Sequence, residues 1–486
     1  MSCFYKFISH LKLCYHLRNY YYHYKDTETY TETYSGPLLD NILNSVTECG
    51  AVMIKFCQWL TPKLELIYLE NNDILLNKTP PWLLKLEQYY ENCGDHSREY
   101  TMAEYEKVFG HTMEEVYHLK QVIGSGSIGQ VYLIENKETG SEEVLKILHP
   151  DVRNQMSFFE TFIKFLLMFP CINNKKQELF PFDIFDFIDQ FKMQTDFINE
   201  ANHIIHFMKE YKNNEFVIIP EIIKITPSIL IMSYEPGISF SELSLSDYHK
   251  EKIVNLYHLF IRNNQVITNY NHGDLHPGNW KVRLDPKDLN HKLVIHDFGY
   301  CWRIPVNLFA KIGTIFVDTF EESSNNVETS IDNLCELTYW SVLYNKPDKE
   351  TEYKVKIREH VVNEIRIRNI TELSVIDSLK ATIIFCNKEN LLLDPTLIQC
   401  YIIFIQGQKL FEQYDLMKGD KDDTTPYEVF RERYLNIYTF CKTYNIFPKY
   451  SKNIENKLNK KQIAVTNIFD TIDFDDTNLE KMALTK

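Results

Sequence analysis

The chain has 486 residues, of which 44% are hydrophobic and 24% charged, and its formal net charge at pH 7 is −15. A chain of this length can bury a large core, and we predict a globular protein of two or three domains or lobes. Its lysines and arginines are scattered along the sequence and do not form a basic face, which disfavours nucleic-acid binding.

The eleven cysteines are odd in number, spread along the chain and form no CxxC pair. That spacing argues against a disulfide framework and a zinc site and favours a reducing, intracellular compartment. Charged residues interrupt the N-terminal stretch before an apolar signal-peptide segment forms. We therefore expect no signal peptide, no transmembrane helix, and a cytoplasmic or membrane-associated protein.

The N-terminal region is predicted to be helical. Residues 1–36 are aromatic and basic without a clear period, and we expect an extension or a short helix there. Apolar residues recur at spacings of three, four and seven across 37–69, which predicts a helix interrupted at Pro62. Lys55 and Gln58 lie three apart and share a face of that helix. Taken alone, such a polar pair favours a solvated edge.

A glycine-rich segment follows a second helical stretch, residues 85–117. VIGSGSIGQVYLIEN predicts two strands joined by a loop, and EVLKILHP predicts a third strand that contains one lysine, Lys146. Such a loop lets backbone N–H groups approach phosphate oxygens, although an ordinary hairpin is the alternative. The candidate nucleotide contacts of the loop are Gly124, Ser125, Gly126, Ser127, Ile128, Gly129 and Val131.

The next segment carries candidate carboxylates on a helix. The apolar window 158–172 contains charged residues and Pro170 and is shorter than the roughly 20 residues of a spanning helix, so we predict a packed core helix in preference to membrane contact. In DFINEANHII, Asp196 and Glu200 lie four apart, which predicts one shared helix face. A carboxylate that reaches Lys146 would orient it toward phosphates. An exposed acidic face is the alternative.

Two predicted strands, VIIPEI and SILIMSYEPG, precede the C-terminal part of the chain. The second strand ends in YEPG, a hinge between a sheet-bearing and a helical lobe, where Glu235 is a further candidate nucleotide contact. Beyond residue 243 we expect helices, apart from short strands at 279–297. Residues 391–415 are predicted to lie in the core, and 451–486 to form a flexible acidic tail.

Two motifs, HGDLHPGNW and HDFG, contain the candidate catalytic and metal-binding residues. Asp274 precedes Asn279 by five residues, and Asp297 follows Asp274 by twenty-three. Phosphoryl transfer needs one carboxylate beside the attacking hydroxyl, with an amide and a second carboxylate to hold the metal. Ordinary surface turns also collect these residue types. The glycine-rich loop, Lys146 and Glu200 upstream favour the phosphoryl-transfer interpretation.

GSGSIGQVY, VLKILHP, DFINEA, YEPG, HGDLHPGN and IHDFG occur in this order over roughly residues 37–415. In that order they resemble the successive motifs of the UbiB/ADCK family of atypical kinases. The resemblance implies an α+β, protein-kinase-like two-lobed fold with a small antiparallel-sheet N-lobe, a helical C-lobe and an added N-terminal helical element. It also implies ATP and Mg²⁺ binding, a link to isoprenoid-lipid and quinone metabolism, and peripheral membrane contact.

The same resemblance implies roles for individual residues. Lys146 would pair with Glu200 and contact the phosphates, Asp274 would be the catalytic-loop aspartate, and Asn279 and Asp297 would hold magnesium. No Ala-Pro-Glu segment follows the second aspartate. A small-molecule, lipid-linked or ATPase reaction is therefore favoured over a peptide substrate.

Two segments depart from the family pattern. KFCQ resembles a Lys-x-Gly-Gln signature on a helix that folds over the active site, with Cys57 in place of the glycine. This resemblance reverses the solvated-edge interpretation and implies a regulatory role for Lys55 and Gln58, although the cysteine puts close packing of that helix in doubt. QTD matches a Glu-x-Asp motif in which Gln194 replaces the glutamate, while Asp196 is kept as a regulatory candidate. An amide carries no charge, so a metal or lysine contact there is weakened.

We predict an extension at 1–36, a helical element over the active site at 37–117, an N-lobe at 118–237 with a helical insertion at 151–190, a C-lobe at 238–450 and a tail at 451–486. The expected function is Mg-ATP binding with transfer or hydrolysis of the γ-phosphate. One alternative is a small-molecule kinase similar to aminoglycoside and choline kinases, which share the HGDxHxxN loop. The other is a non-catalytic nucleotide-binding regulator.

Overall fold

The structure is a computed structural model of the chain, and it describes residues 3–26, 36–71, 95–173, 182–285, 291–306, 309, 327–343, 347–367, 375–403, 438, 441–442 and 447–460. The helices are α1 Cys3–Asp26, α2 Gly36–Cys49, α3 Ala51–Asn71, α4 Arg98–Phe109, α5 Met113–Val116, α6 Val152–Leu167, α7 Pro170–Asn173, α8 Ile184–Gln194, α9 Phe197–Tyr211, α10 Asp247–Asn263, α11 Val327–Leu343, α12 Glu350–Ile367, α13 Val375–Glu389 and α14 Pro448–Lys460. The strands are β1 Tyr117–Ser125, β2 Gly129–Asn136, β3 Glu142–Leu148, β4 Val217–Ile218, β5 Ile222–Ile225, β6 Ile229–Ser233, β7 Asn271–His272, β8 Trp280–Arg283, β9 Lys292–Ile295 and β10 Cys301–Trp302.

The N-lobe is built on an antiparallel sheet of five strands in the order β1-β2-β3-β6-β5. Side chains alternate across β3, so Leu145 and Ile147 join the core beneath α4, whereas Leu148 joins the core that contains Phe197 of α9. Lys146 therefore points toward the α9 side of the sheet. The predicted small antiparallel sheet with its glycine-rich connection is confirmed.

The segment predicted as one strand, VIIPEI, is divided between the two lobes. Pro220 lacks a backbone N–H and cannot continue a ladder. Before it, β4 pairs in parallel with β9 of the C-lobe, in a sheet ordered β4-β9-β8. After it, β5 pairs with β6 of the N-lobe. The prediction of a single strand here is wrong, because the chain crosses between lobes at this point.

The N-terminal helices differ from the prediction in two ways. Residues 3–26 form one helix of 24 residues, and the break in the following segment falls at Gly50, whose φ is 97°, a value that favours glycine. Helix α3 continues through Pro62. The two residues that flank this proline bond to carbonyls one turn earlier. The Thr61 hydroxyl donates to the carbonyl of Cys57, and the Lys63 ammonium donates to the carbonyl of Trp59. These side-chain bonds accompany the proline within the helix.

The apolar window at 158–172 is confirmed as a packed helix for its first part. Phe159 and Phe162 of α6 are buried, whereas Phe165 and Met168 at its end are exposed. Among the helices that the structure describes, no segment is both long and apolar enough to cross a bilayer.

The C-lobe has its own second core, formed by α11, α12, α13 and the helical stretch at 395–403. The core prediction for 391–415 is confirmed as far as residue 403, and the remainder lies outside the described residues. The predicted tail is wrong at its start, because α14 runs to Lys460 and buries Tyr450 and Ile454 against the main core. Residues 461–486 lie outside the described part of the chain.

Candidate active site

Lys146 stands at the centre of the candidate site and contacts two carboxylates. Its Nζ donates to Oε1 and Oε2 of Glu200 at 2.8 and 2.9 Å, and to Oδ1 of Asp297 at 2.9 Å. Glu200 is only 1% exposed. The alternative of an exposed acidic helix face is therefore wrong for this residue. Strand β3, helix α9 and the HDFG segment meet at one ammonium group.

The start of α9 explains why Glu200 turns inward. Asp196 is the N-cap of this helix, and its Oδ1 accepts a hydrogen bond from the backbone N–H of Ile198 at 3.1 Å. Glu200 follows in the first turn and is buried beside Lys146. The predicted shared face of the two acidic residues is wrong, because the cap residue has extended backbone and its side chain serves the helix terminus.

The charges of this cluster depend on one another. Burial alone would lower the pKa of Lys146, but Asp297 and Glu200 outweigh it and raise that pKa above its ordinary value. Burial would likewise raise the pKa of Asp297, yet Lys146 holds it well below its usual range. Burial raises the pKa of Glu200 to about 7, against the opposing effect of Lys146. The lysine stays charged and Asp297 stays ionised at neutral pH.

The HGDLHPGN segment is fixed by hydrogen bonds from both sides. The backbone N–H of Asp274 donates to His272 Nδ1 at 3.2 Å, and His272 Nε2 donates to the carbonyl of His296 at 3.1 Å. The side-chain amide of Asn279 donates to the carbonyl of Asp274 at 2.8 Å. A side chain at Gly273 would lie 2.2 Å from the ring of Tyr300, so glycine is required there.

Asn279 and Asp297 fit the chemistry of a magnesium site. The side-chain nitrogen of Asn279 donates to the carbonyl of Asp274, so the side-chain oxygen Oδ1 points away from that carbonyl. Asp297 accepts its hydrogen bonds from Lys146 and Gly299 on Oδ1, so its Oδ2 is available as a ligand. Among the described residues no group of three His, Cys, Asp or Glu side chains forms a complete metal site. This pair would hold Mg²⁺ together with water and phosphate oxygens, as magnesium commonly requires.

The glycine-rich segment is a hairpin connection between β1 and β2. Gly124 pairs with Val131 and Ser125 with Gln130, and the N–H of Gly126 donates to the carbonyl of Gly129 at 3.0 Å. A side chain at Gly129 would lie 2.5 Å from the carbonyl oxygen of Ile147, so only glycine fits. The other candidate contacts, Ser127 and Ile128, occupy the tip. Phosphate binding by this loop stays a prediction.

Glu235 of YEPG is already engaged with protein groups. Its Oε2 accepts from Arg283 Nη2 at 2.6 Å, and its Oε1 accepts from the hydroxyl of Ser233 at 2.8 Å. Arg283 lies at the end of β8 in the C-lobe. The side chain therefore ties the inter-lobe segment to the C-lobe sheet, and a nucleotide contact through it stays a prediction.

Helix α3 lies against the HGDLHPGN segment. Lys55 Nζ donates to Asp274 Oδ2 at 3.0 Å, and Gln58 is buried. The solvated-edge interpretation of these two residues is wrong. Cys57 is buried in the main core and does not prevent this approach. A cavity of about 60 Å³ lies between the helix and the loop, lined among others by Lys55, Gln58, Lys63, Gln194, Asp274 and Tyr300.

Three supporting residues were not predicted. His203 Nδ1 donates to the carbonyl of Phe298 at 2.7 Å, the Tyr257 hydroxyl donates to the carbonyl of Leu275 at 3.1 Å, and His272 supports Asp274. The first residue of HGDLHPGNW was a readable signal for His272. No local pattern distinguishes His203 and Tyr257, because their partners are 95 and 18 residues away in sequence.

Part of this chain matches a family of atypical kinases. The ABC1 atypical kinase-like domain matches residues 91–331. A probable serine/threonine-protein kinase, abkC of Dictyostelium discoideum, is 27% identical over 265 residues, which cover 53% of this chain and 36% of that protein. A probable protein kinase UbiB of Cronobacter sakazakii is 22% identical over 256 residues, 50% of this chain and 44% of that protein.

The match thus spans less than half the length of either curated relative. A solved structure of Rv3197 with erythromycin from Mycobacterium tuberculosis aligns over 65% of this chain and 83% of that chain, at 14% identity and a TM-score of 0.41. On the ABC1 domain match, the named relatives and the ordered motifs, the chain belongs to the UbiB/ADCK family of atypical kinases and has an α+β, protein-kinase-like fold.

Proposed function

We propose that this chain binds Mg-ATP beneath the glycine-rich loop and transfers or hydrolyses its γ-phosphate. The observation that carries the proposal is the contact of Lys146 with both Glu200, at 2.8 Å, and Asp297, at 2.9 Å. Kinases hold nucleotide phosphates with a strand lysine that a helix carboxylate orients, beside a loop aspartate for the metal. The same three residue types meet here at hydrogen-bond distance.

In this proposal Asp274 is the group beside the attacking oxygen. Burial would raise its pKa, but Lys55 and the neighbouring His276 outweigh it and hold that pKa below its ordinary value. The group is therefore a carboxylate at neutral pH and accepts a hydrogen bond from a hydroxyl or a water. Asn279 and Asp297 would hold Mg²⁺, which when bound neutralises charge on the phosphate oxygens.

The acceptor in our proposal is a small molecule, a lipid-linked group or water. The cavity beside Asp274 measures about 60 Å³ and is bounded by α3, so it has room for a few water molecules and none for a peptide segment. Lys55 at 3.0 Å from Asp274 stands on the path that a bulky acceptor would take. A small acceptor is compatible with this geometry if α3 shifts, and hydrolysis requires no such shift.

We further propose a reducing compartment with peripheral membrane contact as the site of action. Of the cysteines that the structure describes, eight are free thiols, which supports the reducing environment. The exposed Phe165 and Met168 at the end of α6 are compatible with contact at a lipid surface.

The test is ATP turnover by the purified chain, with and without lipid vesicles. Asp274→Asn keeps the size of the side chain and removes its charge, so we expect bound ATP with turnover reduced by about 100-fold or more. Lys120→Met is the matched control, because Lys120 lies on exposed β1 in surface ion pairs with Glu135 and Glu142. Unchanged turnover in Asp274→Asn contradicts the catalytic role. ATP binding without turnover in the wild type favours the regulator alternative.

A further inference from the structure

Two histidines join α4 to the glycine-rich loop. His96 lies one residue before Ser97, the N-cap of α4, and His149 follows β3 directly. Their Nδ1 atoms are 2.7 Å apart. His149 Nε2 is 2.9 Å from the carbonyl oxygen of Gly126, and His96 Nε2 is 2.9 Å from the hydroxyl of Thr101. None of these contacts belongs to the candidate catalytic groups.

The proton directions in this chain of contacts follow from its ends. A carbonyl oxygen only accepts, so His149 Nε2 donates to Gly126, and in a neutral imidazole its Nδ1 is then the acceptor. His96 Nδ1 therefore donates to His149, and His96 Nε2 accepts from the Thr101 hydroxyl. Behind Thr101, the contacts continue through the Tyr132 hydroxyl to the side-chain amide of Gln130, which donates to Tyr132 at 2.8 Å. Every donor has one acceptor when both imidazoles are neutral.

We propose that His149, oriented by His96, is a positioning residue for the glycine-rich loop and sets its grip on the nucleotide phosphates. The inference rests on the proposed nucleotide site. In a planar trans peptide the carbonyl of Gly126 and the N–H of Ser127 point in opposite directions. Holding that carbonyl on His149 therefore fixes the direction of an N–H at the tip of the loop. The backbone N–H of His149 adds a second tie, to the carbonyl of Ile128 at 2.9 Å.

This arrangement works only while the His149 ring is neutral. A proton added to His149 must go to its Nδ1 and would place two N–H groups against each other at 2.7 Å, so charging His149 by acidification breaks the contact. Burial lowers the pKa of both histidines, that of His96 to about 4, and the nearby Asp95 opposes the shift in both. The rings of Tyr100 and Tyr132 face His96 from α4 and β2. The pKa of His149 in the folded protein lies below its unfolded value of 6.5. The stabilisation that the His149 contact gives the loop is therefore complete above pH 6.5 and is lost as the pH falls toward the folded pKa.

The experiment compares ATP and adenosine affinity in three variants. His149→Phe keeps a ring and removes the donor, so ATP binding should weaken about fivefold to tenfold at pH 7.5, whereas adenosine, which lacks phosphates, should bind as in the wild type. His149→Gln keeps an amide donor that does not titrate and should restore ATP affinity. His118→Phe is the control, because His118 is exposed on β1 of the same sheet.

The pH dependence gives a second readout. Between pH 7.5 and 5 the wild type should lose more ATP affinity than His149→Gln does. The ratio of the two affinities is compared because the titration of the nucleotide itself affects both proteins equally. Equal losses in both proteins, or an equal weakening of ATP and adenosine by His149→Phe, overturn the positioning role.

Hydrogen exchange in the nucleotide-free protein separates this inference from the proposed function. Amides at 124–129 should exchange faster in His149→Phe than in the wild type and the His118→Phe control. If the wild type binds no ATP but amides 124–129 exchange faster in His149→Phe, then His149 does hold the loop in place and the proposed function fails. Unchanged exchange at 124–129 overturns the anchor, whatever the nucleotide affinity.

Discussion

Lys55 of helix α3 donates a hydrogen bond to Oδ2 of Asp274 at 3.0 Å, across 219 residues of sequence. The lysine side chain is 14% exposed and the aspartate side chain 30%. The ion pair joins the N-terminal helical element to the loop that carries the proposed catalytic carboxylate. Lys55 also helps to hold the pKa of Asp274 below its ordinary value, and in the proposed function access to that carboxylate would depend on the position of α3.

Replacing Lys55 by alanine should free Asp274 and raise ATP turnover about tenfold, because the carboxylate no longer shares its lone pairs with the ammonium group. The unfolding free energy should change by less than about 1 kcal/mol, since both groups keep contact with solvent. Steady-state turnover and urea unfolding measure the two effects. Lys12→Ala is the control, because Lys12 forms an exposed ion pair with Glu48 in the same helical element. Unaltered turnover and acceptor range would show that α3 has no capping role.

Lys146→Met and Glu200→Gln should differ in their cost to stability. Removing the lysine leaves Glu200, which is 1% exposed, without its cation, and should cost about 3 kcal/mol or more. Removing the charge of Glu200 leaves Lys146 paired with Asp297, so the cost should be about half of that. Both variants should lose turnover. Equal destabilisation in urea unfolding at pH 7.5 would argue against the shared role of the lysine.

Asp297→Asn should remove the magnesium-dependent part of ATP affinity and leave the fold intact. The carboxylate side chain is 46% exposed, so its replacement by an isosteric amide opens no buried cavity. A neutral amide also binds Mg²⁺ more weakly than a carboxylate. Calorimetric titration with ATP, with magnesium and with a chelator, measures the difference. Identical affinities in the wild type under both conditions would refute the metal role.

Lys63, which is buried beside the cavity, and the half-buried Asp186 should make stability depend on pH. Burial lowers the pKa of Lys63 to about 7, against the opposing charge of Asp186, whose own pKa burial raises to about 6. A base with a lowered folded pKa binds its proton more weakly when folded, so the unfolding free energy rises as the pH goes from 7 toward 9. In the double variant Lys63→Met, Asp186→Asn this rise should be smaller. Parallel stability curves for the two proteins, measured by urea unfolding, would contradict the shift.

The motif-bearing segments could be predicted from the sequence because their chemistry is local. Glycines at fixed spacing, a lysine within an apolar strand and two aspartates on turns each have a short-range signature. The pairing of Lys146 with Glu200 was implied by the family resemblance, whereas the contact of Lys146 with Asp297 was not predicted. The direction of Asp196 did not follow, because a helical period assumes that the residue is helical, and this one is the cap.

Features that depend on distant partners could not be predicted. The helix break at Gly50 and the continuity through Pro62 depend on backbone conformation and on bonds from Thr61 and Lys63 to earlier carbonyls. Helix α14 is polar in composition, and only its packing against the main core shows why residues 448–460 are ordered as a helix. The His96 to His149 contact joins residues 53 apart, with no periodic signal between them.

The division of one predicted strand between two sheets determines how the molecule can deform. After α9 the chain enters the C-lobe at β4, returns to the N-lobe at β5, and leaves again through Tyr234–Gly237. Strand β9, which β4 accompanies, leads two residues later into Asp297. The helix that carries Glu200 is thus connected through β4 to the strand that precedes Asp297, the second carboxylate that contacts Lys146. Because β4 and β9 belong to one sheet, opening of the cleft between the lobes would bend the short connections on either side of β4 and the segment Tyr234–Gly237, while the β4 to β9 pairing is kept.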